Sequence, residues 1–262
     1  MANILAIETA TDALSVSLDY DEKTYHFHEI LPRQHTDKLL TVIRNLMEEV
    51  GADYKNLDAI GVDIGPGSYT GIRLGCSVGQ GIAYAHNLPT IPVTSLDVLV
   101  KGESTSREKK LQLDILEDST FDPYKNRRKD PTYHKIIPLI PKTKESTYVG
   151  IYSYQEGRLI QKRFETVTID EWLEFYHDDI YENSVGHWYE TYFIGKLDLD
   201  AGWGMISPDV SIYGERLKMG TYPDAKNLLK ICQERYSRGK VSISEELVPL
   251  YLDKGNNWKK IK

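Results

Sequence analysis

GVDIGPGSYTGIRLG runs from Gly61 to Gly75, and its reading decides the fold. A short apolar strand, LDAIGVDI, enters the stretch, and a helix leaves it. The turn between them carries Ser68, Tyr69 and Thr70 among glycines. A phosphate-binding P-loop needs a lysine after its last glycine, and here Ile72 follows Gly71. The dinucleotide fingerprint needs a glycine three places after the second one, where this chain has Thr70. Nor is this the Gly-x-Ser-x-Gly elbow of hydrolases, because position 70 is again the threonine. A helix N-terminus can still take an anion through free amides. The local pattern favours a tight turn at Pro66-Gly67 with Ser68 or Thr70 capping the helix.

Upstream, residues 3–31 read as three strands, NILAIET, ALSVSLDY and KTYHFHEIL. A helix follows, with Leu39, Ile43, Leu46 and Val50 at helical spacing and Leu40 and Met47 on an adjoining line. Gly51 stops it. Downstream, a helix from about Gly71 to His86 precedes a fifth strand, LPTIPV, and the start of another helix, TSLDVLV. The order β-β-β-α-β-α-β-α is an antiparallel meander followed by parallel crossovers. It predicts an α/β chain with an actin-like ATPase (ASKHA, ribonuclease-H-like) fold in two subdomains.

The chain has 262 residues, 40% hydrophobic and 27% charged, an ordinary globular composition. Its two cysteines, Cys76 and Cys232, exclude a disulfide framework and fit a reducing, cytoplasmic setting. No stretch approaches the roughly 20 apolar residues of a membrane span. The net charge of −7 and pI near 5.6 oppose nucleic-acid binding by the chain as a whole. The clearly basic stretch is Lys254–Lys262, in which Trp258 is a candidate for stacking on an RNA base or for docking in a groove.

The first subdomain is expected over residues 1–100 and the second over 101–262. A charged, weakly periodic insertion occupies about 101–135. HKIIPLI, TYVGIYSYQ and RLIQKRFETV look like strands of the second subdomain. IDEWLEFYHDDI looks like a helix with Ile169, Trp172 and Leu173 inward. Residues 181–222 resist assignment. DAKNLLKICQERYSRG is a helix, and LVPLYL is a last extended segment.

His26 and His28 stand two apart on a strand and share a face. Two ligands do not complete a zinc site and no third is evident, so a structural or surface role is favoured. His35 sits at a helix start without a nucleophile to serve.

ILAIETATDALSVSL, LPRQHTDKLL, GPGSYTGIRLGCSVGQGIAYAHNLPTIPVTSL and PLYLDKGNNWKK together resemble the TsaB (YeaZ) family of tRNA threonylcarbamoyladenosine biosynthesis proteins. The resemblance implies an ASKHA fold and a noncatalytic scaffold role beside a catalytic paralogue, TsaD, and an ATPase, TsaE. That complex puts threonylcarbamoyl on the adenosine next to the anticodon of tRNAs. No catalytic residue, cofactor or metal is expected on this chain. The paralogue's His-x-x-x-His metal pair would fall at Ser95 and Leu99, and leucine offers no donor atom. ETATD, Glu8 to Asp12, resembles a first phosphate loop without its glycine. The alternative is an independent ASKHA-type ATPase or a hydrolase.

In the helix after the turn, Gly71, Gly75, Gly79 and Ala83 form one stripe. Each interior glycine costs about 0.5–1 kcal/mol relative to alanine, so a close approach of another backbone is expected there. The expected partner face combines that stripe with Ile72, Val78 and Ile82, and with Leu39, Ile43 and Leu46 of the preceding helix. TsaD or a second copy of the chain would pair with it as a four-helix arrangement. The other reading packs one of these faces on the subdomain's own sheet, and the sequence does not divide the residues between the two.

Overall fold

The computed structural model describes residues 1–102, 134–155, 158–168, 171, 190–195, 216–219 and 221–252. Residues 103–133 of the insertion expected at about 101–135, the helix expected around Trp172 and Leu173, and Trp258 lie outside the described residues.

Two five-stranded sheets share one plan. In the first, β1 (Ile4–Glu8) lies between β2 (Ala13–Tyr20) and β4 (Ala59–Asp63), with β3 (Lys23–Ile30) and β5 (Thr90–Val93) at the edges, in the order β3-β2-β1-β4-β5. β1 and β2 pair antiparallel, as do β2 and β3, while β1-β4 and β4-β5 are parallel. The second sheet contains β6 (His134–Pro141), β7 (Ser146–Gln155), β8 (Arg158–Thr168), β9 (Glu190–Gly195) and β10 (Arg216–Met219), in the order β10-β9-β6-β7-β8. Its meander and its parallel pairs repeat those of the first sheet. This duplication is the actin-like plan anticipated from the strand order.

Both faces of the first sheet are covered, so β1 is buried along its whole length. Helices α1 (His35–Glu49) and α2 (Tyr69–His86) lie on one face. Leu5, Ile7, Leu14, Val16, Leu18, Ile60 and Val62 point into that layer and meet Leu39, Ile43, Met47 and Ile72. The polar alternates of β2 point the other way. There α4 (Ala225–Ser237) covers the sheet; α3 is described over residues 95–102. Leu228, Leu229, Ile231 and Cys232 of α4 pack on Ile4, Ala6, Ala59, Ile91 and Val93.

That placement corrects the division expected at residue 100. The helix grouped with residues 101–262 supplies the second covering layer of the first sheet. Its apolar side packs on the outer face of β1, β4 and β5, beside Val98 of α3. Chain from beyond residue 240 also returns here: Thr90 and Ser242 exchange backbone hydrogen bonds of 2.8 Å, and Leu250 N donates to Ile64 O at 2.8 Å. Leu96, Leu99 and Val100 of α3 meet Ile136, Ile140, Tyr148 and Tyr152 of the second sheet. Tyr152 Oη donates to Asp97 at 2.8 Å, while Arg235 reaches the other oxygen of the same carboxylate at 3.3 Å.

Cys76 and Cys232 are free and buried, on opposite faces of the sheet. Burial pushes each thiol up to about 12, so both remain protonated and act as small apolar side chains. Among the described residues no helix is long and apolar enough to cross a membrane.

Candidate functional site

The first-half site lies where β1 and β4 end side by side. β1 delivers Glu8 and the Thr9-Ala10 turn, β4 delivers Asp63 and the glycine turn, and α3 delivers Ser95. Glu8, Thr9, Asp63 and Ser95 are all fully buried. Asp63 Oδ1 accepts from Ser95 Oγ at 2.6 Å and from Gly65 N at 2.7 Å, and Glu8 Oε1 accepts from Ala10 N at 2.7 Å. Glu8 Oε2 and Asp63 Oδ2 are left over as buried oxygens. Burial, reinforced by the neighbouring Asp63 charge, holds the Glu8 carboxyl well above the ordinary carboxylate range. Asp63 is also raised by burial, against the opposing effect of its hydrogen-bond donors. One proton held on Glu8 and donated to Asp63 reconciles the pair, because two adjacent buried carboxylates cannot both ionise.

The glycine turn is pressed directly onto the first loop. Ser68 N donates to Ala10 O at 2.6 Å, and Thr9 Oγ1 donates to Gly71 O at 2.8 Å. A Cβ at Gly67 would sit 2.1 Å from Ala10 O, and one at Gly71 would sit 2.0 Å from Thr9 O. Ser68 is the helix cap, accepting from Gly71 N at 3.3 Å. The amides of Ala10, Gly65, Ser68 and Gly71 are thus engaged by the chain's own oxygens. An anion seated here would have to displace them, next to two carboxyl groups.

The interface expected from the sequence needs correction. Gly71, Gly75 and Gly79 face inward: their added Cβ atoms would meet Thr9 O, Thr9 Oγ1 and Val62 Cγ2 at 2.0, 2.5 and 2.5 Å. The stripe lets α2 approach its own sheet. Leu39, Ile43, Leu46 and Ile72 are buried in the same layer. Val78 and Ile82, of those expected residues, stand at the margin, partly buried against it. The outward side of α2 carries Ser77, Gly81 and Ala85 at four-residue spacing, flanked by Leu74 and Val78. Gly81 has nothing within 4 Å of its Cβ position. The signal was in the sequence, as a second run of small residues on the opposite side of the helix. At the start of α2, Arg73 Nε donates to Tyr251 Oη at 2.7 Å, and the guanidinium lies 3.7 Å from the Tyr69 ring centroid.

Ser95, one of the two positions matching the paralogue's metal pair, is spent on Asp63, and Leu99 is core. His35 is buried, with Nε2 3.0 Å from Ala13 O, and braces α1 against β2. His26 and His28 do share a face of β3, and the fold adds a third neighbour that the sequence does not indicate, Asp224 at the start of α4.

The sequence profile of the family described as "TsaD: tRNA N6-adenosine threonylcarbamoyltransferase" matches residues 26–113. The tRNA threonylcarbamoyladenosine biosynthesis protein TsaB of Escherichia coli (strain K12) is 27% identical over 260 residues, covering 98% of this chain and 97% of that one. TsaB of Haemophilus influenzae is 36% identical over 99 residues, 38% of this chain and 42% of its own. Among solved structures, YeaZ from Pseudomonas aeruginosa superposes with a TM-score of 0.68 at 23% identity, over 96% of this chain and 100% of that one. The resemblance to TsaB read from the N-terminal half and the extreme C-terminus therefore extends along the whole chain.

Proposed function

We propose that this chain, similar to TsaB from end to end, is the noncatalytic accessory subunit in biosynthesis of threonylcarbamoyladenosine on tRNA. The observation that carries the reading is the filled first-half site. The amides of Ala10, Gly65, Ser68 and Gly71 are bonded internally, and the buried carboxyl groups of Glu8 and Asp63 beside them oppose a phosphate. The chain then contributes surface rather than chemistry, with TsaD as the catalytic partner and TsaE as the ATPase. A hydrolase or independent ATPase has no nucleophile-base pair or phosphate cradle to use at this site.

The partner surface is the outward ridge of α2, with Leu74, Ser77, Val78, Gly81, Ile82 and Ala85, beside the exposed Leu40 of α1. Small residues at its centre let a partner helix approach closely, and the apolar flanks exclude water. TsaD occupies this ridge in the complex, and a second copy occupies it when the chain is alone. Reconstitution tests both parts. Modification of tRNA by TsaD and TsaE should require this chain. Gly81→Arg should fold normally, since its side chain enters open space, yet should weaken association with TsaD and lower modification by about tenfold or more, as blocked interface centres do. Full modification without the chain would refute the accessory role. Full activity and normal association of the folded variant would refute the ridge.

A further inference from the structure

We propose that His26, His28 and Asp224 form a three-ligand site for a divalent transition metal of the zinc class, leaving one coordination position to solvent. The site lies on the face of the first sheet opposite α1 and α2, so the inference does not depend on the proposed function. One ligand atom from each residue falls within 4.8 Å of the others. His26 Nε2 is 3.5 Å from Asp224 Oδ1, and His28 Nδ1 is 3.8 Å from Asp224 Oδ2. Zinc bonds of about 2.0–2.2 Å to nitrogen and oxygen in a tetrahedron separate the ligand atoms by roughly 3.3–3.6 Å. Closing the shell from that 4.8 Å spread takes an inward movement of the His28 side chain, which stands exposed on an edge strand.

The supporting residues are arranged as a metal site requires. Ser17 lies opposite His26 and Ser15 opposite His28 in the β2-β3 register. Ser17 Oγ is 2.7 Å from His26 Nδ1. With the proton on Nδ1 and donated to Ser17, Nε2 presents its lone pair toward Asp224, the outer contact that commonly orients a ligating imidazole. Ser15 Oγ accepts from Ala225 N at 3.0 Å and so fixes the start of α4, and with it Asp224, against β2. The carboxylate also caps the helix through Lys226 N at 2.7 Å, which still leaves lone pairs for a metal. Two imidazoles and one carboxylate with an open position suit zinc, cobalt or nickel better than magnesium or calcium. Bound metal would tie edge strand β3 to α4, elements more than 190 residues apart in sequence.

The test uses the full chain, stripped with a chelator and titrated with zinc by calorimetry. Cobalt serves as a spectroscopic probe. One equivalent should bind ahead of any other, raise the melting temperature and give the intense visible absorption of four-coordinate cobalt. His28→Ala, at an exposed position, and Asp224→Asn, which keeps a good helix cap, should each lower affinity by more than roughly tenfold and abolish the cobalt band. Their melting temperatures without metal should match the parent. His28→Gln replaces Asp224→Asn if the latter disturbs the helix. Absence of a one-equivalent event in the parent, or equal affinity and spectrum in the folded variants, would overturn the proposal.

Discussion

Gly71→Ala should destabilise the chain by on the order of 3 kcal/mol or more, as overpacking of a tight site does. The added methyl would lie 2.0 Å from Thr9 O, and that oxygen belongs to backbone that cannot rotate away. Separating the two elements would also cost the 2.8 Å bond from Thr9 Oγ1 to Gly71 O. Gly81→Ala in the same helix should do the opposite. Its methyl meets nothing within 4 Å, and replacing an interior glycine stabilises an exposed helix by about 0.8–1 kcal/mol. Urea denaturation of the two variants measures both. Equal, small shifts would mean that the stripe of Gly71, Gly75 and Gly79 does not press on the sheet, and that the outward reading of it should be restored.

Asp63→Ala should carry a comparable penalty for a different reason. It removes the acceptor for Ser95 Oγ and Gly65 N, leaving two buried donors unpaired at roughly 1–3 kcal/mol each. Glu8→Gln should be mild by contrast. Its carbonyl can still accept from Ala10 N, and its amide can donate to Asp63 as a protonated carboxyl does. The pH dependence separates the two carboxyls further. A carboxyl whose pKa is raised on folding binds its proton more tightly in the native state, so its contribution is complete below the unfolded pKa and is lost as pH rises through the folded one. Glu8 and Asp63 are both raised. The parent should therefore lose stability as pH climbs above the ordinary carboxylate range, and Glu8→Gln should flatten that decline. Denaturant midpoints across that range provide the measurement. A parent whose stability rises through it, with Glu8→Gln losing stability, would contradict the shared proton.

Strand order and helix placement in the first ninety-odd residues were legible because their signals are local. The meander shows in ALSVSLDY and KTYHFHEIL, the helix cap in Ser68, and the stop in Gly51, which adopts a φ of +66°. The two sides of α2 were not legible. Small residues recur every four positions on both, and only the position of Thr9 and Val62 decides which side is inward. Nor could the sequence assign α4 to the first sheet. Its apolar positions announce a buried face, but the partner strand β1 begins more than 200 residues earlier. The same separation hid Asp224 from His26 and His28. The serines of β2 look like the exposed half of a two-sided strand, whereas Ser15 and Ser17 are fully buried under α4. The carboxyl pair was half visible: Glu8 stood in a loop resembling a phosphate site, while Asp63 looked like an ordinary strand residue until the parallel pairing of β1 and β4 placed their ends together.

Nucleotide binding by the isolated chain tests the central claim most directly. The first-half site is filled by its own loop, with the amides of Ala10, Gly65, Ser68 and Gly71 bonded internally. Calorimetric titration with ATP and magnesium should therefore show no saturable binding at millimolar nucleotide, and no phosphate should be released. Tight, magnesium-dependent binding accompanied by ATP turnover, both lost in a folded Asp63→Asn variant, would contradict the account and make this chain an enzyme in its own right.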